Sequence, residues 1–115
     1  MSMNLDEYQK NALATLSNNY DYGDVTPQMM GMVLGLAGES GEVLEKFKKI
    51  LRDKQGKLTE GDKKELGKEL GDILWCVTTT AHLLGSSLEE VARQNNEKLA
   101  SRKNRDALHG SGDNR

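Results

Sequence analysis

The chain has 115 residues, enough for one domain and too few for two. Its 16 lysines and arginines stand against 18 aspartates and glutamates, a net charge of −2 that argues against a general nucleic-acid binder. One cysteine, Cys76, excludes a disulfide framework or a Cys-rich zinc site, and 36% apolar residues is low for a self-sufficient core, so burial against another subunit is expected.

Residues 1–10 lack the apolar core of a signal peptide. The longest apolar run, 29–37, contains Gly31 and Gly35 and is too short to span a bilayer. No membrane association and a cytoplasmic, reducing location are therefore expected.

The punctuation predicts an all-α chain of four helices. The first runs over about 5–18, with Asn4 as N-cap and Glu7 placed for a capping box. A turn-rich stretch follows to Asp24. Thr26 then caps a second helix whose first position is Pro27, where a missing N–H costs nothing. That helix should reach about Arg52 and break at Asp-Lys-Gln-Gly-Lys, 53–57. Thr59 and Asp62 open the third helix, which Gly85 ends after Leu84. Ser87 and Glu90 form a capping box for a fourth helix reaching about Lys103, and residues 104–115 read as a tail without fixed structure.

Four carboxylates are mirror-imaged about the second connection. Glu39 and Glu42 precede it, Glu69 and Asp72 follow it, and the centre falls between Gln55 and Gly56. At about 100° of rotation per residue, with Leu36 as zero, Val33, Val43, Leu44, Phe47, Ile50 and Leu51 form one apolar stripe. Glu39 then lies at about 300° and Glu42 at about 240°. On the third helix, with Leu66 as zero, Leu70, Ile73, Leu74, Val77, Ala81 and Leu84 form the stripe. There Glu69 lies at about 300° and Asp72 at about 240°. Equal offsets put both pairs on one side of an antiparallel hairpin and on opposite sides of a parallel one. The short connector requires the antiparallel case.

Clustered carboxylates repel each other and raise each other's pKa unless a cation is present. Mg²⁺ takes oxygen ligands and favours a few carboxylates plus substrate phosphates. His82 is about 15 Å along the helix from Asp72 and is no ligand of this cluster. For either acid pair alone, a solvated flank is the alternative.

Gly31, Gly35 and Gly38 lie on the same side, where they serve close helix approach or ligand access. Lys46 and Lys49 continue the flank toward the turn and could meet phosphates, or pair with acids along their own helix. On the fourth helix Asn95 interrupts the stripe of Leu88, Val91, Ala92 and Leu99, with Lys98 and Arg102 bordering it. These three either tie the structure together or face a phosphate chain. Trp75 lies on the carboxylate side and suits a subunit interface or base stacking. Gln9 could read a base edge, with Tyr8, Met29, Met32 or Trp75 walling a pocket.

GLAGESGEVLEKFKK (35–49), ELGDILW (69–75), LGSSLEEVARQNNEKLASR (84–102) and EYQ (7–9) together resemble the MazG-like branch of the all-α nucleoside triphosphate pyrophosphohydrolases. The resemblance implies a four-helix bundle over 1–103, built on a central antiparallel hairpin and completed by oligomerisation to a homodimer or homotetramer. It implies hydrolysis of a nucleoside triphosphate to monophosphate and pyrophosphate, with nucleotide-pool house-cleaning as the expected role. Carried over, Glu39, Glu42, Glu69 and Asp72 hold Mg²⁺, for which Mn²⁺ could substitute, and Asn95 and Lys98 meet phosphates; by their placement on the helices, Lys49 and Arg102 are expected to join them. Gln9 and Trp75 are the candidates for the base pocket. Some relatives carry an additional acid where this chain has Gly38. Its absence leaves fewer carboxylates for a separate base and points to a metal-activated water oriented by Glu39. Cousins acting on dUTP, dCTP or phosphoribosyl-ATP are the nearest alternatives, and a non-enzymatic helical interaction module is the alternative from another class.

Overall fold

In the computed structural model, which describes residues 2, 4–106 and 109–114, the regular elements are all helices. They are α1 (Leu5–Ala14), α2 (Pro27–Lys54), α3 (Glu60–Leu83) and α4 (Leu88–Asn104). Among the described residues there is no strand, and no helix is long and apolar enough to cross a membrane.

The caps explain the boundaries. Asn4 accepts from the Glu7 amide at 2.9 Å and Glu7 accepts in return from the Asn4 amide. Thr59 and Asp62 repeat this reciprocal arrangement at the start of α3. At α4 only half of the expected box forms. Ser87 accepts from the Glu90 amide, but the Glu90 carboxylate is drawn to Arg93 and Gln94 on its own helix.

The first helix is shorter than its sequence pattern suggests. It closes at Thr15, whose hydroxyl donates to the Ala12 carbonyl at 2.9 Å, and the Asn19 amide turns to Ser17 Oγ. Such local side-chain bonds compete with the helical ladder. The second helix runs further than Arg52, to Lys54, because its stop is not the first polar residue but the backbone. Gln55 and Gly56 both take left-handed φ, 51° and 78°, and both amides return to the Ile50 carbonyl. That reversal folds α3 back along α2.

Packing is concentrated in this hairpin. The α2 and α3 helices pack along their lengths, α4 touches α3 alone, and α1 packs on no other described helix. Among the described residues, Ile50, Leu66, Cys76 and Ala81 are the buried apolar ones. The seam runs beside the centre of the apolar stripes. Val43, Ile50, Ile73 and Cys76 lie within it, at about 280° to 340° of helix rotation. Leu44 and Leu51, at about 80° and 60°, and Leu74, at about 80°, face outward. A stripe wider than one helix contact cannot be buried by one partner, so the hairpin covers one edge and leaves a shoulder of Leu44, Phe47, Leu51, Leu70 and Leu74 open. The consequence for chemistry is direct. Glu39 and Glu69, at about 300°, sit at the seam.

Candidate metal centre

Glu39 comes from the middle of α2, Glu69 and Asp72 from the middle of α3. A ligand oxygen from each of the three lies within 4.8 Å of the others, with Glu39 and Glu69 half-buried and Asp72 exposed. The antiparallel register predicted by the mirror spacing brings them together. Burial in the seam raises the Glu39 pKa from its ordinary value. The neighbouring Asp72 and Glu69 charges, a hydrogen bond with Glu69 and, last, the Glu42 charge act in the same direction. Glu42 lies outside the three-oxygen group and is exposed, one turn away on α2.

The donors are hard oxygens without nitrogen or sulfur, and a bound cation would relieve their mutual repulsion. Such a set suits a hard divalent cation better than one that favours nitrogen or sulfur. Some compensation is built in. Lys46, which could have paired along its own helix, reaches across the hairpin to Glu69 at 3.7 Å. Sequence alone could not choose between these partners, because helix spacing makes both available.

The glycine face divides. A Cβ at Gly35 would sit 3.4 Å from Cys76 Sγ, so Gly35 allows close approach of α2 to α3, and nearby Thr79 Oγ1 donates to Met32 Sδ. Around Gly31, Gly38 and Gly41 there is open space. The wall beside Glu39 is therefore bare.

The remaining candidates fall into three places. Lys49 lines a groove of about 270 Å³ near the hairpin turn, with Lys46, Lys54, Asp53 and Asp62. Asn95 and Lys98 share an open groove on α4 with Leu88, Val91 and Ala92. Arg102, one turn beyond Lys98, is 3% exposed. Its Nη2 donates to the Asp113 carbonyl at 2.6 Å and the Gly112 carbonyl at 3.4 Å. Asp113 Oδ1 lies 3.2 Å from Lys98 Nζ. No spacing rule links residues 98 and 102 to 112 and 113, so this contact had no sequence signal. Among the described residues no ion pair joins the α4 cations to the three acids.

Trp75, 60% exposed, forms a shelf with Gln28, Met32, Thr79 and His82 beside a shallow pocket of about 450 Å³. It stands one turn beyond Asp72. Gln9 is exposed on α1, and the chain does not bring it to that shelf. Of the expected tail, residues 107, 108 and 115 lie outside the described residues.

A family profile described as the MazG nucleotide pyrophosphohydrolase domain matches residues 28–106. The match contains the acid cluster, the Trp75 shelf and the α4 cations. The chain is also 48% identical over 84 residues to the "Gene 37 protein" of Mycobacterium phage L5, covering 73% of this chain and 74% of that protein. No solved structure matches it.

Proposed function

The chain belongs to the MazG nucleotide pyrophosphohydrolase family, and on that premise we propose that it hydrolyses nucleoside triphosphates to monophosphate and pyrophosphate with Mg²⁺. The observation that carries this reading is the convergence of Glu39, Glu69 and Asp72 on one oxygen-lined point between two helices. Glu39, Glu69 and Asp72 would hold the cation, and Glu42 would join them from one turn away on α2. Bound there, the cation would lower the pKa of an attacking water and offset charge developing on the leaving group.

The chain's own groups supply the rest. Glu39 stands beside three other carboxylates and, through an Oε, orients the water toward the α-phosphorus. Attack there breaks the bond to the oxygen bridging the α and β phosphates and releases pyrophosphate. Lys49, Asn95, Lys98 and Arg102 hold the β and γ phosphates, and Lys46 lessens the repulsion at Glu69. The bare surface at Gly38 leaves room for substrate beside Glu39.

Trp75 offers the base a stacking face. Stacking tolerates different bases because each has a π-face. An exposed stacking shelf thus supports action on several triphosphates and a house-cleaning role over one dedicated to dUTP, dCTP or phosphoribosyl-ATP. The uncovered shoulder and the unpacked α1 support a homodimer or homotetramer, and a nucleotide substrate suits a cytoplasmic location.

The decisive experiment is pyrophosphate release from a panel of ribo-, deoxyribo- and modified triphosphates, with and without Mg²⁺. Metal-dependent release from several members is expected. Release from one nucleotide alone would replace the house-cleaning role, and no release or nucleotide binding from any would leave a helical interaction module.

A further inference from the structure

Two of the three cations assigned to the phosphates are already engaged. Lys98 Nζ meets the Asp113 carboxylate at 3.2 Å, and Arg102 Nη2 lies 3.6 Å from the same carboxylate while donating to the carbonyls of Gly112 and Asp113. We propose that the segment following α4 is an internal competitor of substrate, in which Asp113 and its neighbouring carbonyls take the place of a phosphate group on Lys98 and Arg102. This rests on the reading of those two residues as phosphate ligands.

Three features support it. First, the chemistry corresponds: one anionic group bridges two cations, as a phosphate oxygen would. The Lys98 ammonium, with Arg102 behind it, holds the Asp113 carboxyl below its usual range, so it is anionic at neutral pH. Second, the fit is incomplete. Arg102 is more than nine-tenths buried, yet among the described residues its Nε has no partner, because the neutral carbonyls engage Nη2 alone. A phosphate group can meet both at once. Third, the contact depends on a particular backbone. Gly112 has φ +86°, a conformation that side chains rarely adopt, and there its carbonyl and that of Asp113 both reach the guanidinium.

The contact is also built to yield. Asp113 is 85% exposed on its side chain, and exposed ion pairs are weak. The expected result is a reduced apparent affinity: only the fraction of molecules with the segment displaced accepts a polyphosphate.

The test uses the full chain, with tripolyphosphate as probe, titrated calorimetrically in the presence of Mg²⁺. Asp113→Asn removes the competing charge, and Gly112→Ala disfavours the turn without touching either cation. Both should bind tripolyphosphate about two- to fivefold more tightly than the parent chain. If the triphosphate assay is active, KM should fall by the same factor with kcat unchanged. Lys98→Ala serves as the control and should weaken binding. Unaltered affinity in Asp113→Asn and Gly112→Ala, with Lys98→Ala weakened, overturns the competitor alone. Unaltered affinity in Lys98→Ala overturns the phosphate role of Lys98 and the competitor with it, whereas the acid cluster is tested separately by its own variants.

Discussion

Glu39 is held at a seam where burial and three neighbouring carboxylates oppose its ionisation. Its pKa is raised in the folded chain, so the folded state binds its proton more tightly than the unfolded state does. Without metal, stability should therefore fall as pH rises from the ordinary glutamate value through the raised one. Glu39→Gln should flatten that dependence and raise the melting midpoint in chelator at pH values where the parent carboxylate is ionised, and Mg²⁺ should stabilise the parent chain but not the variant. Thermal melts with and without chelator measure both. The same substitution, like Asp72→Ala, should lower pyrophosphate release by at least about 100-fold. Full turnover in either would remove the acid cluster from the mechanism. Asp62 shifts the other way. The Lys54 ammonium, then the Thr59 amide, depress its pKa to about 2, so its stabilisation is complete above the ordinary aspartate value and is lost as pH falls through about 2. In Asp62→Asn the acid limb of a pH–stability curve should become shallower.

Among the elements, the α2–α3 hairpin is the part whose packing fixes the site. Ile50 and Leu66 are buried where the helices meet, and truncating either to alanine should cost about 2–4 kcal/mol in a denaturant titration. Because Lys46, Glu39 and Glu69 share that seam, a loosened hairpin should lose metal affinity as well as stability. The reversal offers a gain. Gln55 holds φ 51° without being glycine, and the left-handed conformation disfavours a Cβ by about 1 kcal/mol or more. Gln55→Gly should therefore stabilise by about 0.5 kcal/mol once the added freedom of the unfolded chain is subtracted. A loss of stability would mean that the Gln55 side chain contributes more than its backbone strain costs.

For the whole molecule the central fact is surface left uncovered. Leu44 is 70% and Leu51 68% exposed, and α1 is a ten-residue helix with no helical partner among the described residues, shorter than helices that hold alone in water. Both are accounted for if copies of the chain associate through the shoulder. Leu44→Glu combined with Phe47→Glu should then convert an oligomer to monomers in analytical ultracentrifugation. A parent chain that sediments as a monomer at micromolar concentration would remove oligomerisation from the account and leave the shoulder to another partner.

Much of this was legible in the chain alone. Asn4, Thr26, Thr59 and Ser87 mark every helix start, because capping is a local interaction between residues three apart. The mirror spacing of 39, 42, 69 and 72 contained the register of the hairpin, because helix rotation and a short connector leave one antiparallel solution. What the sequence could not decide was which edge of each wide apolar stripe becomes the seam. That choice is made by packing, through the close approach at Gly35 and Cys76, and it places Glu39 and Glu69 in the seam while Glu42 stays outside. The partner of Lys46 and the covering of Arg102 by Gly112 and Asp113 were likewise tertiary outcomes. Each joins groups that no helical period relates, and each cation had another partner within reach along the chain.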